Sequence, residues 1–493
     1  MPSIEELLAG YPPELKIIPE EIHAARGPAT AQLVVIDDHP TGSQSMADVP
    51  VLTAWSPDQI EWALATDAPA IFIITGARAL SAPAAEDRYI EVMTAVLEVA
   101  RILRREVAFA LRTDSSLRGH YPLDADVVVN AIESASGTRI DGVVMVAAFP
   151  EARRITVDGV HYVSEWEGEW TPVGETRFAR EPSFPFTSSD LRAWVAEKTR
   201  GRYQGRDIVH VPLEVVRHSP DAVANELLEV RGAQPVVVDA VTDEDLRCLA
   251  IGALRAAGAG KRFVYRVSPP FVRALVGQPV HAPLTAQDIG ELRRRTGVEG
   301  APHGLVVVGT PVPFTRRQVR LLEQRRPIRD VALSVPAVLD SRREAHIEDV
   351  VTRAVEGLEG GNVLVRLAEM QVGTDAKGDF AIDARIGRAV NEVVYRISRR
   401  AQLGFVVARG GSIVADVAQG LGVRRAMVVG PMLDGIVSLW EPLGGRIGGV
   451  PFAVYAGGVG DEEGLADVVD KLSGITPPLT RRAGSPATPR VAP

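Results

Sequence analysis

The segment that most constrains the fold of this chain is residues 33–44, LVVIDDHPTGSQ. Four apolar residues end abruptly at Asp37 and Asp38, which predicts a buried strand that presents two carboxylates at its carboxyl end. Ligands of open parallel α/β sheets bind beyond the carboxyl ends of strands, so both acids are functional candidates. An Asp pair in this position is equally typical of a turn or a helix cap.

A second segment, residues 107–120, carries the charges expected of a binding site. After an apolar beginning it contains Arg112, Asp114, Ser115 and Arg118. Arginine binds a carboxylate or a phosphate through two parallel hydrogen bonds, and hydroxyl and carboxylate side chains bind hydroxyl groups. The segment therefore predicts a site for a small anion that also carries hydroxyl groups.

Strand-like apolar runs alternate with helical patterns along most of the chain, which predicts parallel sheets covered by helices on both faces. Because 493 residues exceed a single hydrophobic core, we predict two three-layer α/β domains with mostly parallel sheets and a cleft between them. The predicted parts are an N-terminal helical extension (1–30), a first domain (31–240), a crossover (241–303), a second domain (304–476) and a disordered tail (477–493).

Residues 149–190 interrupt this alternation, because Pro, Gly, Trp and Glu dominate them and no period is visible. A long aperiodic segment inside a compact domain is usually a functional loop or a lid. An inserted β-ribbon explains the same composition, and the sequence leaves both interpretations open.

Glycine-rich turns follow three predicted strands of the second domain. They contain Gly309 and Thr310, then Arg409 to Ser412, and then Gly457 and Gly458. Glycines between a strand and a helix let backbone N–H groups approach phosphate oxygens closely. Together the three turns predict a nucleotide-phosphate site, although no Walker motif and no GxGxxG follows a strand.

Composition excludes several classes of function. The formal charge is −9 and no basic cluster outweighs it, which argues against a nucleic-acid partner. The single cysteine, Cys248, cannot form an intramolecular disulfide, and this fits a reducing compartment. No signal-peptide pattern and no apolar run of membrane-spanning length occurs in the sequence, so we expect a cytoplasmic protein without a membrane partner.

With these motifs identified, the chain resembles the four-carbon acid sugar kinases, a family that includes threonate and erythronate kinases. The resemblance covers nearly the whole chain and follows the family's order through IDDHPTGSQ, RTDSSLRGHYPLDAD, AFPEARRITVDGVHYV, RFAREPSFPFTSSDL, GLVVVGTPVPFT, LGFVVARGGSIVADVAQGLGVRRA and YAGGVGDEEGLADVV. It implies that the first domain binds the sugar acid, that the second binds ATP, and that Mg²⁺ assists phosphoryl transfer in the cleft. A sugar acid and ATP are then the partners, and a homodimer is compatible with these features.

The resemblance also assigns roles to the candidate residues. Asp38 is the candidate base or metal ligand, with Asp37 beside it, and the metal ligands are otherwise unassigned. The sugar acid is expected at Thr41, Arg112, Asp114, Ser115 and Arg118. The ATP phosphates are expected at Gly309, Thr310, Arg409, Gly410, Gly411, Ser412, Gly457 and Gly458.

Several motif positions depart from the family pattern. Relatives read DDDPTG where this chain has His39 in place of the third acid, and their Lys-Gly-Gly is Arg409-Gly410-Gly411 here. Phosphoryl transfer depends on positioning and on charge, so such changes can lower the rate without altering the fold. The alternative to an active kinase is therefore a catalytically degenerate ligand-binding or regulatory protein on the same fold.

Overall fold

The computed structural model of the protein describes residues 2–27, 31–164, 169–309, 313–368, 380–411, 413–457 and 459–478. The predicted α/β class is confirmed within those ranges. All but two residues of the predicted tail, 477–493, lie outside them. None of the helices in the described ranges combines the length and the apolar character needed to cross a membrane.

The strands are β1 (Gln32–Asp37), β2 (Val49–Leu52), β3 (Ala70–Ile74), β4 (Val107–Arg112), β5 (Gly142–Val146), β6 (Arg154–Val157), β7 (Val160–Val163), β8 (Thr171–Pro172), β9 (Val209–Val211), β10 (Gln234–Val238), β11 (Phe263–Val267), β12 (Leu305–Val308), β13 (Ile328–Leu333), β14 (Asn362–Leu367), β15 (Val406–Arg409), β16 (Arg425–Leu433), β17 (Val437–Pro442) and β18 (Phe452–Tyr455).

The helices are α1 (Ile4–Leu7), α2 (Pro19–Arg26), α3 (Pro57–Leu64), α4 (Ala82–Leu103), α5 (Leu123–Ser136), α6 (Leu191–Lys198), α7 (Leu213–Val216), α8 (Pro220–Glu229), α9 (Asp243–Gly258), α10 (Pro269–Val276), α11 (Ala286–Thr296), α12 (Pro313–Arg325), α13 (Val335–Leu339), α14 (Arg343–Gly360), α15 (Phe380–Arg400), α16 (Ile413–Gly420) and α17 (Gly464–Leu472).

The two halves of the protein share one continuous sheet. Its strand order is β13-β14-β12-β15-β18-β17-β16-β2-β3-β1-β4-β11-β5-β10-β9. The strands pair in parallel within each half, whereas β16 and β17 are antiparallel to their neighbours. The halves meet where β16 pairs with β2, and this junction was not predicted from the sequence. Each edge strand would otherwise expose unpaired N–H and C=O groups, so pairing the two edges satisfies both.

Strand β1 shows why helices cover both faces of the sheet. Leu33 and Val35 belong to one apolar cluster, whereas Val34 and Ile36 belong to another. Successive side chains of a strand point to opposite faces, so an unbroken apolar run requires cover on both. Helices α2, α9 and α10 contribute to the first cluster, and α3, α4, α5 and α6 contribute to the second. Each such side chain contributes roughly 1.5–3 kcal/mol when it is buried.

The predicted boundary at residue 240 is corrected by the position of β11. This strand lies between β4 and β5, in the middle of the first half of the sheet. Helices α9 and α10 on either side of it pack against each other and against α2. The first half therefore extends to Val276, and the crossover begins at about Gly277. Local periodicity in a sequence cannot reveal which neighbours a strand pairs with.

Within residues 149–190, the described segments 149–164 and 169–190 contain the β-ribbon that was one of the two interpretations. Strands β6, β7 and β8 make a small antiparallel sheet. Thr156 and Ala240 exchange two backbone hydrogen bonds, of 2.9 and 3.1 Å, which attach the ribbon to the end of β10. The ribbon is thus fixed to the first half of the protein.

Candidate functional site

The carboxyl ends of four neighbouring strands meet at one edge of the sheet. Asp37 is level with Ile74 of β3 and with Arg112 of β4, and Arg112 is level with Val267 of β11. The segments that follow these strands therefore start side by side. The charged residues at this edge include five that the sequence singled out: Asp37, Asp38, Arg112, Asp114 and Arg118. They also include Arg78, which the sequence analysis did not single out.

Asp37 is enclosed by its own turn. One carboxylate oxygen, Oδ1, accepts hydrogen bonds from the His39 backbone N–H at 3.1 Å and from the Arg112 guanidinium at 3.3 Å. The other oxygen has no partner in the described structure and lies against Gly42, where an added Cβ would be 1.7 Å away. Burial outweighs the nearby charge of Arg112 and raises the pKa of Asp37 to about 7. Gly42 covers the unpartnered oxygen of Asp37, and the catalytic role of Asp37 stays a prediction.

Asp38 is held by Arg78 through two hydrogen bonds. The guanidinium donates from Nε to Oδ2 at 3.1 Å and from Nη2 to Oδ1 at 2.5 Å. The same Arg78 reaches Asp114 Oδ1 at 3.3 Å. Burial disfavours the charge on Arg78, but Asp38 and Asp114 outweigh it and raise the pKa of Arg78. Arg78 follows β3, so the rule that singled out Asp38 could also have found it.

The predicted carboxylate clamp, Arg118, is already bound to acids of the protein. Its Nε donates to Asp114 Oδ2 at 2.6 Å, and its Nη1 donates to Glu181 Oε2 at 2.9 Å. The guanidinium also lies 5.1 Å above the ring of Phe178. Burial disfavours the ionised form of Asp114, yet Arg118 and Arg78 outweigh it and hold the pKa of Asp114 well below its usual range. In this state Arg118 and Asp114 therefore complete an internal charge network.

The backbone of Ser115 is fixed by the ribbon. The carbonyl oxygen of Ser115 lies 2.7 Å from Nε2 of the buried His161, whose Nδ1 lies 2.9 Å from Thr156 Oγ1. Burial lowers the pKa of His161 to about 4, so its imidazole is neutral at pH 7. A neutral imidazole donates from Nε2 when Nδ1 accepts from the threonine hydroxyl. Ser115 is thereby fixed beside Asp114.

His39 connects the two halves of the site. Its Nδ1 lies 2.8 Å from Thr41 Oγ1, and its Nε2 lies 3.7 Å from the Cβ position of Gly411. Burial and the charges of Arg78 and Arg112 hold the pKa of His39 well below its ordinary value, so the ring is neutral. The turn after β1 therefore faces the glycine turn after β15. Thr41, predicted to bind substrate, orients this imidazole.

Arg409 is a buried cation at the end of β15. Its Nε donates to Gln318 Oε1 at 2.6 Å, its Nη1 donates to the Gly457 carbonyl at 3.3 Å, and its guanidinium stacks 4.7 Å from the ring of Tyr455. Its Nη2 has no hydrogen-bond partner, and no carboxylate lies within ion-pair distance in the described ranges. Burial lowers the pKa of Arg409, but arginine stays protonated in proteins. A buried, unpaired guanidinium is a ready site for an anion.

The glycines of the second half differ in what they do. Gly309 allows β12 to approach α16, because an added Cβ would lie 2.6 Å from Ile413. Gly410 has φ +142°, and its N–H donates to the Tyr455 carbonyl at 3.1 Å. Gly411 faces His39, and the Gly457 carbonyl binds Arg409. Thr310, Ser412 and Gly458, also predicted to bind nucleotide, lie outside the described residues.

The residues present fit the two implied cofactors to different degrees. Arg409 provides the unpartnered donor that an ATP phosphate requires. The described part of the chain has no group of three or more His, Cys, Asp or Glu side chains that could hold a metal ion. Mg²⁺ in kinases is bound largely by phosphate and water with one or two carboxylates. The metal would therefore enter with the nucleotide. Asp38 is the carboxylate of this protein that would bind it.

Comparisons with known proteins also divide the chain into two domains, one in each half. Residues 33–275 match the model of a sugar-binding N-terminal domain, and residues 305–465 match that of a nucleotide-binding C-terminal domain. The D-erythronate kinase of Heliobacterium modesticaldum is 26% identical over 418 residues, covering 82% of this chain and 87% of that protein. The D-threonate kinase of Bordetella bronchiseptica is 27% identical over 361 residues, covering 72% and 75%.

A solved structure from Salmonella typhimurium LT2 shares the fold. It has a TM-score of 0.62 at 19% identity, and the match covers 88% of this chain and 97% of that one. The sugar-binding match ends at residue 275, close to the end of α10, so it agrees with the longer first half seen in the structure.

Proposed function

Because the chain belongs to the family of four-carbon acid sugar kinases, we propose that it transfers a phosphoryl group from ATP to a hydroxyl of a small acid sugar such as a threonate or an erythronate. The observation that carries the proposal is the position of His39. Its Nε2, in the turn that follows the acids, lies 3.7 Å from the Cβ position of Gly411 in the opposite glycine turn. A sugar acid at the first turn and a nucleotide at the second would meet there, and phosphoryl transfer depends mainly on such positioning.

The proposed roles follow from the contacts. Asp38 orients the acceptor hydroxyl and takes its proton, while Arg78 fixes the carboxylate through two hydrogen bonds. Arg118, a quarter exposed, exchanges one of its protein carboxylates for that of the substrate. Arg409 binds a phosphate through its unpartnered Nη2. When bound, ATP with Mg²⁺ supplies the phosphoryl group and neutralises its charge.

The direct test is release of ADP by the purified protein with ATP, Mg²⁺ and a panel of four-carbon aldonates. We expect release that depends on one or a few of these acids. Asp38→Asn should keep sugar-acid binding nearly intact and lower turnover by about 10²-fold or more if Asp38 is the base. Absence of acid-dependent ADP release from folded wild-type protein would refute the kinase proposal.

The second candidate is a ligand-binding or regulatory protein on the same fold. The observation that favours it is that Asp38, Asp114 and Arg118 are already satisfied by one another and by Arg78. Calorimetry separates the two functions. Binding of a sugar acid without binding of ATP–Mg²⁺ would support the regulatory role, and binding of both would support the kinase.

A further inference from the structure

The turn that follows the two acids, residues 38–45, is bound to the second half of the protein by buried polar side chains. Ser43 is fully buried, and its Oγ accepts a hydrogen bond from Trp440 Nε1 at 3.0 Å and lies 3.2 Å from Ser438 Oγ. Both partners belong to β17 and are fully buried as well. Ser45 donates to the Gly435 carbonyl, between β16 and β17, at 3.3 Å. A turn of the first half is thus attached to the β16–β17 hairpin of the second.

Gln44, between these two serines, connects the hairpin to the backbone beside His39. With its NH2 group facing the hairpin, Gln44 donates to the Ile436 carbonyl at 3.2 Å and to the Thr41 carbonyl at 2.9 Å. Thr41 Oγ1 in turn lies 2.8 Å from His39 Nδ1. Buried polar groups that are hydrogen-bonded to one another fix the segments that carry them, because water cannot replace a broken bond there. The hairpin therefore fixes the turn that carries His39.

The same hairpin is also bound to the part of the second half that is predicted to hold the nucleotide. Strand β17 pairs with β18, where Ser438 is level with Val454, the residue before Tyr455. The ring of Tyr455 stacks on Arg409 at 4.7 Å, and its carbonyl accepts a hydrogen bond from the Gly410 N–H at 3.1 Å. The position of the acid turn relative to the glycine turn after β15 is therefore set through β17 and β18.

We propose that Trp440 is a positioning residue, which acts through Ser43 to hold the acid turn in register with the nucleotide turn. This inference rests on the proposed function, because it takes the acceptor hydroxyl and the phosphoryl group to meet between the two turns. A misplacement of about 1 Å can lower turnover about 10²-fold even when the changed residue is far from the chemistry. The residues predicted to bind the two ligands lie in different halves, so loss of the link lowers turnover but leaves the binding of each ligand alone unchanged.

The test replaces Trp440 by Phe, which keeps an aromatic ring next to Phe452 but removes the N–H donor. We expect kcat for ADP release to fall about 10–100-fold. The Kd of the sugar acid and that of a non-hydrolysable ATP analogue, measured separately by calorimetry, should each stay within about 3-fold of the wild type. Trp194→Phe is the matched control, because Trp194 is equally buried and its Nε1 has no hydrogen-bond partner in the described structure. Its kcat should stay within about 2-fold of the wild type, since no hydrogen bond is lost.

A second variant keeps the test decisive if Trp440→Phe folds poorly. Ser43→Ala removes the acceptor of the same hydrogen bond at the cost of a single oxygen atom, so it should also lower kcat about 10–100-fold. The double variant should lose no more than either single variant, because two changes that remove one interaction are not additive. An unchanged kcat in folded Trp440→Phe or Ser43→Ala would overturn the proposal. Effects that multiply in the double variant would overturn it as well.

Hydrogen exchange of the peptide that contains residues 41–48 tests the link without catalysis. Its Asp48 N–H donates to the Val428 carbonyl of β16 at 2.7 Å, so the wild-type peptide is protected where it meets the hairpin. In Trp440→Phe this peptide should exchange about 10-fold faster, and in Trp194→Phe at the wild-type rate. Faster exchange confined to this peptide, without ADP release from the wild type, refutes the kinase but supports the link. ADP release with unchanged kcat in Trp440→Phe refutes the positioning role alone, and unchanged exchange without any ADP release refutes both.

Discussion

The two sides of the candidate site differ in how their buried charges are neutralised. On the first side, Asp38 and Asp114 are bound by Arg78 and Arg118 at distances of 2.5 to 3.3 Å. On the second side, Arg409 is more deeply buried and has only neutral partners in the described structure. The first side is thus stable without a ligand, whereas the second keeps a charge that an anion would satisfy. A substrate must displace protein groups on the first side, whereas Nη2 of Arg409 on the second side has no protein partner to displace in the described structure.

The largest effect on stability is expected from a substitution that breaks the ion pairs of the first side. Arg78→Met leaves Asp38 without its two-point partner and removes one cation from Asp114. Removing one member of a buried ion pair costs about 3–5 kcal/mol, because the remaining charge is uncompensated. Urea unfolding measures this loss.

The control for Arg78→Met is Arg202→Met, which breaks an ion pair with Asp126 in which both side chains are exposed. That change should cost less than about 1 kcal/mol. Equal stability of the two variants would show that the network around Arg78 does not hold the first side together.

The next effect concerns the pH dependence of stability. The pKa of Asp37 is about 7 in the folded protein, above its ordinary value of 3.8, so between pH 4 and pH 7 the folded state binds a proton that the unfolded state has released. The contribution of Asp37 to stability is therefore fully present below pH 4 and is lost as the pH rises through 7. Relative to Asp37→Asn, the wild type should lose on the order of 2–4 kcal/mol across this window. A difference between the two proteins that does not vary with pH would contradict the elevated pKa.

The sequence predicted the first side in part, because its signals are local. An apolar run that ends at two acids predicts both the strand and the edge at which Asp37 and Asp38 lie. It cannot predict that Arg78 binds Asp38, since this contact depends on β3 pairing with β1 across about forty residues of chain. The same limit explains the wrong domain boundary near β11. It also explains why Glu181 was not predicted as a partner of Arg118, because Glu181 follows the ribbon and is distant in sequence.

The second side was predicted less well, because the same residue pattern serves two purposes. Glycine after a strand predicts a phosphate turn, yet Gly309 permits close packing against Ile413. Gly430 and Pro431 of β16 interrupt the apolar pattern that would mark a strand in the sequence. In the structure these residues lie at irregularities of the β16–β17 pairing. A proline is tolerated at such a bulge.

A smaller effect is expected from removing the unpaired charge of Arg409 on the second side. Arg409→Met should weaken binding of a non-hydrolysable ATP analogue about 100-fold, roughly 2.8 kcal/mol, because a charge-assisted bond to phosphate is lost. Unlike Arg78→Met, it should leave the melting temperature unchanged or raise it, since a buried unpaired charge disappears. Calorimetry and thermal melting measure the two quantities.

Arg320→Met is the control for Arg409→Met, because it removes an exposed charge from the same half. Its ATP affinity should stay within about 2-fold of the wild type. Destabilisation of Arg409→Met without loss of ATP affinity would make Arg409 a structural residue.

The smallest effect is expected when Arg118, on the first side, loses one of its carboxylate partners. The first side would then resemble the second, where Arg409 has no carboxylate partner in the described structure. Glu181→Gln removes one of the two carboxylates bound to Arg118 and leaves Asp114 in place. If the substrate carboxylate must displace Glu181, the variant should bind the sugar acid about 3–10-fold more tightly, since Glu181 is partly exposed and its ion pair is worth only about 1 kcal/mol. Glu229→Gln, which changes an exposed carboxylate elsewhere, should bind like the wild type. Weaker binding by Glu181→Gln would instead mean that Glu181 positions Arg118 for the substrate, and Arg118 would then bind the acid without exchanging its protein partner.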